Sequence, residues 1–556
     1  MRHGMPQKGI YMNDLTNFSL LYPSVSSGSE HYAGKNVPDI SMYELEQLGM
    51  LEFLDTKSHE LSEYFTTSPE VMKYRREMFR DMLDHEELGR MLNSLIPILF
   101  DISELRRLEA DSGETEDYLM SITEIELYIS SIDLLRRTLV PLRKDLKSQA
   151  FLTFSERIYE LAESDYYKEL NIKLNELTNR VREIKSVTIG VNLDAQLRAS
   201  EAGVLSINSE KFRSGDVLDK ILHIGSKNDG YTCIASLVPF GKKQSDNQKT
   251  ALALAFNSAI NDVYKSSLRS WKKIVQTYVL ENTDFLLNLM PEIEFVGKAT
   301  SMMRALLSRG LPLVSPTVAE RSEKKFIVKD LYNPCVALKI DGEIVPNDLD
   351  FDAETPIFVL TGPNRGGKSV VTCAVGLAQA MMQLGMFVPA REAQISPADA
   401  IYTHFPTGSD DTIDKGRLGE ECARLTSIFD RITDQSLVLL DESLSSTGSF
   451  EASYIAAEVL AGLARCGCRC LFSTHLHELA AEIDRINEKS VGEGGVKIDT
   501  LVAGIEEGKR SFKIVRAKPD GKSYARDIAE KYGLTYENII KKIKDKTSEN
   551  GGKNNG

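Results

Sequence analysis

Residues 356–369 read Pro356-Ile357-Phe358-Val359-Leu360-Thr361-Gly362-Pro363-Asn364-Arg365-Gly366-Gly367-Lys368-Ser369. The apolar run Ile357–Leu360 is a predicted strand, and a helical pattern over Ser369–Leu384 follows the glycines. The segment between satisfies G-x-x-x-x-G-K-S in the strand–loop–helix setting that the motif requires. Glycines let consecutive backbone N–H groups turn inward around phosphate oxygens, and the helix N-terminus adds its partial positive charge. Gly362, Pro363, Asn364, Arg365, Gly366 and Gly367 form the expected cradle. Lys368 would bring a point charge to the β- and γ-phosphates, and Ser369 a hydroxyl ligand for Mg²⁺. The bland alternative is a glycine-rich turn with no ligand; the flanking strand and helix argue against it.

An enzyme that splits a triphosphate needs a second element, an apolar strand ending in acid. Leu437-Val438-Leu439-Leu440-Asp441-Glu442 supplies it. Asp441 is expected to hold Mg²⁺, directly or through water, and Glu442 to orient the attacking water and accept its proton. A buried strand that merely ends in surface acids is the alternative. A third element follows another strand, Cys470-Leu471-Phe472-Ser473-Thr474-His475. His475 is placed to sense the γ-phosphate, whereas His477 reads as a surface residue of the next helix. Around these motifs short β-type runs (Phe326–Val328, Ile357–Leu360, Ile401–His404, Leu437–Leu440, Cys470–Ser473) alternate with helical stretches (Ser369–Leu384, Gly419–Ile432, Ala452–Ala464). Such alternation predicts an α/β domain with a mainly parallel sheet.

Upstream the pattern is different. Residues 1–40 are rich in Ser, Gly, Asn and Tyr without a period and predict an extended arm. From Met42 to Lys185 apolar residues recur at three- and four-residue spacing, and Ser68-Pro69-Glu70 is a helix start. The stretch 152–185 has no Pro or Gly and is expected to form one long helix, a lever. Val187–Leu193 and Val204–Asn208 read as strands. A polar interval to Thr250 carries Lys242, Lys243 and Lys249, which could meet nucleic-acid phosphates or belong to a solvated loop. Helix returns at Ala251, is expected to break near Leu289, and resumes through Leu307. The fold class is therefore mixed: an all-α core and lever with a small β excursion, then an α/β P-loop domain of ABC type. The expected boundaries are an arm at 1–40, the core and lever at 41–325 with a tip near 187–250, the P-loop domain at 326–546 with a closing helical segment, and a disordered tail at 547–556.

The chain has 556 residues, 42% hydrophobic and 27% charged, with a formal charge of −14. That balance fits a soluble protein and argues against one that coats nucleic acid, though binding depends on local surface rather than the total. No run of ~18–20 apolar residues predicts a membrane helix. Seven scattered cysteines fit a reducing compartment, so a cytoplasmic address is expected. Cys466-x-Cys468-x-Cys470 matches no usual zinc spacing; period two would put all three thiols on one face of a buried strand. Trp271 is a core or helix-pair residue by default.

The phosphate loop, the Asp-Glu strand and the histidine in this order occur in ABC-type ATPases generally. The wording "TGPNRGGKS", "GSDDTI", "SLVLLDE" and "STHLHEL" resembles, more narrowly, the MutS family of DNA mismatch-repair ATPases. "KSYARDIAEKYGL" is similar to the helical segment that closes the same domain, and "YRREMFRDML" with its long helices looks like the family's core and lever. The resemblance spans Met42 to Lys546 and is strongest over Phe351–Leu479. It implies ATP with Mg²⁺, a homodimer with two composite sites, and levers that close around duplex or branched DNA.

The sequence also departs from that family. Two N-terminal domains, one reading mismatches and one connecting, would not fit in the ~40 residues before the helices. Phe154-Ser155-Glu156 matches the family's Phe-x-Glu wedge in letters but falls inside a predicted helix, so the match is coincidental. The nuclease-type extension of the recombination-suppressing branch is not expected either. Asp414–Glu421 lacks the usual hydroxyl of the signature segment; Arg417 could supply charge instead, or the segment is a plain surface loop. "SLSSTGSF" replaces the usual Gly-Arg-Gly-type run after Glu442, with Ser445, Ser446 and Thr447 able to bond across a dimer. The expected function is an ATP-dependent DNA-binding ATPase in repair or recombination, without classical mismatch sensing. The alternative is a slow ATP-gated dimeric module with little turnover. A metabolic P-loop kinase has no use for so long a helical half.

Overall fold

The structure is a computed structural model that describes residues 18–24, 36–56, 60–111, 118–183, 186–193, 195, 199–208, 210–211, 213–214, 232–233, 284–406, 417–444, 446–476, 479, 482–506, 509–518 and 532–551. Lys242, Lys243, Lys249, Trp271, Asp414–Gly416, Ser445, His477, the "GSDDTI" run and most of "KSYARDIAEKYGL" lie outside the described residues. The described helices are α1 (Met42–Leu48), α2 (Met50–Phe53), α3 (Glu60–Glu63), α4 (Pro69–Asp84), α5 (Glu86–Asp111), α6 (Tyr118–Leu142), α7 (Gln149–Glu163), α8 (Asp165–Glu183), α9 (284–308), α10 (Pro334–Lys339), α11 (Lys368–Gln383), α12 (Arg417–Phe429), α13 (Ser449–Cys466), α14 (Ile483–Gly492) and α15 (Tyr536–Gly551). Among them none is long and apolar enough to cross a membrane.

Two compact units divide the chain at different places from the expected 325/326 boundary. One comprises Met1–Leu20 and Asp84–Glu294, the other Leu21–Leu83 and Phe295–Gly556. Periodicity marks which face of a helix is apolar but not which partner covers it. Here Phe295 lies 5.3 Å from the Tyr64 ring and 6.0 Å from the Phe79 ring, and Thr66 N–H donates to the Gln383 carbonyl at 3.1 Å. These contacts hold the helices of residues 42–83 with the C-terminal unit.

In the first unit α5 packs on α6, α6 on α7 and α7 on α8. Their seams are Leu92, Leu95, Leu99 and Ile102, then Ile125, Tyr128, Ile132, Leu135 and Leu139, all buried at helical spacing. Phe154 is fully buried in α7, stacked on Phe18 at 4.9 Å, so it is a core residue and no exposed wedge. The long helix expected over 152–185 is two. Ser164 leaves helical geometry (φ −64°, ψ 146°), and its hydroxyl donates to the Leu161 carbonyl at 2.6 Å and accepts from Tyr167 N–H at 3.2 Å. A Ser-Asp pair that ends one helix and caps the next needs neither Pro nor Gly. By contrast α9 runs through the break expected near Leu289. Of the expected β excursion, β1 (Ser186–Leu193) and β2 (Ala199–Asn208) form an antiparallel pair with two irregularities, and the short β3 (Arg213–Ser214) and β4 (Thr232–Cys233) pair in parallel. Of the expected arm, Leu20, Leu21 and Tyr22 are buried, and Leu20 N–H donates to Glu292 at 2.7 Å.

The second unit holds two sheets. β5 (Thr317–Val318), β9 (Glu392–Ile395), β6 (Phe326–Leu331) and β7 (Asn347–Phe351) form a mixed four-stranded sheet in that spatial order. The larger sheet runs β10 (Ile401–His404), β11 (Leu437–Asp441), β12 (Arg469–Ser473), β8 (Ile357–Thr361), β13 (Ile498–Glu506), β14 (Lys509–Arg516), parallel except for β14. Strands β8, β11 and β12 are buried along their whole length, as strands covered on both faces must be. Val438, Leu440, Cys470 and Phe472 face α13 through Ala456, Leu460 and Leu463. On the other face α11 approaches β11 so closely that a Cβ on Gly376 would fall 2.7 Å from Leu439 and 2.3 Å from Leu48. Of the three thiols expected on one strand only Cys470 lies in β12; Cys468 directly precedes that strand, and Cys466 lies further back. It closes α13, after which Gly467 takes the left-handed cap, yet all three thiols meet the same apolar cluster. At the far end α15 continues past Lys546 to Gly551, into the segment expected to be an irregular tail. Its Lys- and Glu-rich sequence permits helix up to the glycines.

Candidate nucleotide-binding site

β8 delivers Thr361 to the carboxyl edge of the parallel sheet, and the loop 362–367 turns there into α11. Three residues of the turn have positive φ: Gly362 at +136°, Arg365 at +61° and Gly367 at +93°. Gly366 N–H donates to the Pro363 carbonyl at 3.0 Å and closes the turn. At Gly362 the strand β13 leaves no room for a side chain; a Cβ would sit 2.8 Å from the Ala503 Cβ and 3.0 Å from its nitrogen. Gly362→Ala is therefore expected to cost about 1–3 kcal/mol of stability, from strain and overpacking together. Urea unfolding of the two proteins measures it, and an unchanged midpoint would contradict this account of the loop.

Lys368 opens α11 and is buried, 4% exposed. Its ammonium donates to the carbonyls of Gly362 at 3.3 Å and Pro363 at 3.2 Å. Burial pushes its pKa down, and the nearby Glu442 and Asp441 carboxylates push it back up. Asp441 ends β11, opposite Ser473 of β12 in the register. Burial raises its pKa; the Ser369 and Ser473 hydroxyls that face it, and Lys368, oppose that shift, while the charge of Glu442 adds to it. Two oxygens here, Asp441 Oδ1 and Ser473 Oγ, are buried without a hydrogen-bond partner among the described residues. Orphaned buried oxygens beside a further hydroxyl are a donor set suited to a hard divalent cation such as Mg²⁺.

Glu442 follows with φ +47°, and its N–H donates to the Ser473 carbonyl at 2.9 Å. Its side chain lines a cavity of about 420 Å³ together with Arg365, Gly367, Lys368 and Ser369. The structure thus brings the lysine, the serine and the acid of the strand end to one sheet edge. His475 stands at the same edge, two residues beyond β12, but it is exposed and does not line that cavity. Asn364 is exposed on the loop and also lies outside the lining.

The far wall of the cavity comes from segments that sequence reasoning did not single out. Asn333 caps α10 by accepting from Val336 N–H at 3.1 Å and donates to the Val370 carbonyl at 3.2 Å. Asn347 ties β7 to β14, accepting from Ile514 N–H at 2.6 Å and donating to the Phe512 carbonyl at 3.2 Å. Phe512 itself has φ +56° and lines the cavity. The Asn333-Pro334 pair is a readable helix cap, whereas nothing local marks Asn347 or Phe512.

Comparison with known proteins finds a match for each half of the chain. Residues 358–549 match the model of MutS domain V, and residues 67–308 match that of the MutS2 N-terminal domain. The chain belongs to the MutS family. It is 25% identical over 441 residues to DNA mismatch repair protein spellchecker 1 of Drosophila melanogaster, covering 77% of this chain and 46% of that protein. It is 32% identical over 260 residues to DNA mismatch repair protein MutS of Clostridium kluyveri, covering 46% of this chain and 28% of the relative. For MutS of Prochlorococcus marinus the figures are 29% over 244 residues, 42% and 27%. The chain spans less than half the length of these MutS-family relatives.

Proposed function

We propose that this MutS-family chain binds and hydrolyses ATP at a site completed by a second copy, and that closure of the paired sites draws the helical units around DNA. The observation that carries the reading is the convergence of Lys368, Ser369, Asp441 and Glu442 at one sheet edge beside the 420 Å³ cavity. In this reading Lys368 leaves the loop carbonyls for the β- and γ-phosphate oxygens, and the loop N–H groups surround them. Ser369 and Asp441 would hold Mg²⁺, which spreads the charge of the triphosphate. Glu442 orients the attacking water and takes its proton. The cavity wall formed by Tyr332, Ile340, Val345 and Phe512 offers apolar surface for the nucleoside. His475, exposed at the same edge, would sense the γ-phosphate or contact the second copy. The DNA step belongs to repair or recombination, and Phe154, a core residue, does not act in it as a mismatch-reading wedge.

Single-turnover hydrolysis of Mg-ATP, with and without matched, mismatched and four-way DNA at several salt concentrations, tests this. Stimulation by DNA that fades as salt rises is the expected result. Bound ATP with no product in any arm would replace this reading with that of a slow ATP-gated module. Absence of ATP binding would remove both.

A further inference from the structure

The turn after β11 carries two residues without glycine's freedom in the left-handed region, Glu442 at φ +47° and Leu444 at φ +65°. Strained backbone of this kind persists only where its surroundings fix it. On one side the fixing contact is the Glu442 N–H on the Ser473 carbonyl of β12. On the other side it comes through a residue outside the nucleotide site, His404, the last residue of β10. His404 is buried, 2% exposed, and its ring bridges two elements: Nδ1 lies 2.7 Å from Ser443 Oγ, and Nε2 lies 3.2 Å from the Glu421 carbonyl of α12.

The ring's protonation follows from its partners. A carbonyl only accepts, so Nε2 carries a proton and donates to Glu421. Burial and the nearby Arg424 hold the ring neutral, with its pKa pushed down to about 4. Nδ1 is then an acceptor for the Ser443 hydroxyl at 2.7 Å, which also lies 3.1 Å from the His404 backbone carbonyl, so that ring and backbone of one residue hold the same hydroxyl. The imidazole is a fixed strut from the backbone of α12 to the residue next to Glu442. A second tie runs beside it: the Glu421 carboxylate faces the Leu444 amide and the Ser446 hydroxyl. Both ties leave from Glu421, one helical turn into α12, whose first residues from Arg417 to Glu421 belong to the signature segment.

We infer that His404 is a positioning residue for Glu442, transmitting the placement of α12 through Ser443 to the acid that activates water. This rests on the hydrolytic reading above. It gives the signature end of α12 a mechanical route to the chemistry of its own subunit. A contact made there by a second copy would move the strut, and with it the angle at which Glu442 meets the water.

The test is a cycle of His404→Leu, Ser443→Ala and the double variant in the full chain. Turnover is expected to fall about ten- to a hundredfold in each single variant, the range a misplacement of about 1 Å produces. The double variant should be no slower than the worse single, because both remove one link. ATP affinity, read with a fluorescent ATP analogue, should stay within about twofold, since the strut acts on the water rather than on the phosphates. His404→Asn, which keeps an acceptor near Ser443, should recover part of the loss. Hydrogen exchange at residues 442–446 should quicken in the single variants while that at residues 362–369 is unchanged. Multiplying losses in the double variant, loss of affinity in step with turnover, or unchanged exchange at 442–446 would each overturn the inference. Exchange decides it even in a chain that turns over no ATP, so its failure and that of the hydrolytic reading are told apart.

Discussion

Lys368→Ala is expected to weaken ATP binding roughly 10²- to 10³-fold while leaving the fold standing. A hydrogen bond from a charged donor contributes about 1.5–3 kcal/mol net, and the ammonium is placed to serve two phosphate groups. Losing about 3–4 kcal/mol corresponds to that drop in affinity. Stability should hardly move, because two contributions oppose each other. The variant loses the hydrogen bonds to the Gly362 and Pro363 carbonyls. It also loses the burden of a buried charge, whose folded pKa lies below its ordinary value through burial. A lysine with a depressed folded pKa costs stability wherever it is charged in both states, so its removal relieves that cost below the folded pKa. Titration with a fluorescent ATP analogue, alongside thermal unfolding, reads both quantities. Affinity within threefold of the parent would mean that the loop 362–369 does not hold phosphate.

The reach of sequence reasoning follows from which features are local. β8, β11 and β12 were legible because a strand buried on both faces is an unbroken apolar run, and the acids at the end of β11 stand out against it. The glycine loop was legible because its geometry requires glycine, as the Ala503 backbone beside Gly362 shows. The division into units was not, since it depends on which partner each helix finds; Phe295 pairs with Tyr64 and Phe79 rather than with its sequence neighbours. The join at Ser164 left a local signal, Ser followed by Asp, which the absence of Pro and Gly masked. The cavity wall was illegible for a different reason. Asn333, Asn347 and Phe512 reach it from three separated segments; Asn333-Pro334 reads as a helix cap but not as a cavity wall, and nothing local marks the other two. His404 belongs with them: a lone histidine ending a strand acquires meaning only from Ser443 and Glu421 across the sheet edge.

Glu442→Gln is expected to keep ATP bound while slowing its hydrolysis about 10²- to 10⁴-fold, the range that general-base catalysis contributes. Glutamine preserves the length and the N–H that holds the Ser473 carbonyl, so the turn at φ +47° is kept and only the basic oxygen is lost. The electrostatics favour retention of the nucleotide. Glu442 raises the pKa of Asp441 by like-charge repulsion, so its neutralisation lets Asp441 ionise more readily as a ligand for Mg²⁺. It also draws the Lys368 pKa upward, so that pKa falls somewhat in the variant. The two changes oppose each other, and ATP affinity should shift by less than about fivefold, far below the change in rate. If two copies clasp the nucleotide, the variant should accumulate as an ATP-bound dimer in sizing experiments at concentrations where the parent returns to its resting state. Turnover within a few-fold of the parent would remove Glu442 from the chemistry. Lost ATP binding would instead make Glu442 a ligand-holding residue, because a general base is not needed for the substrate to bind.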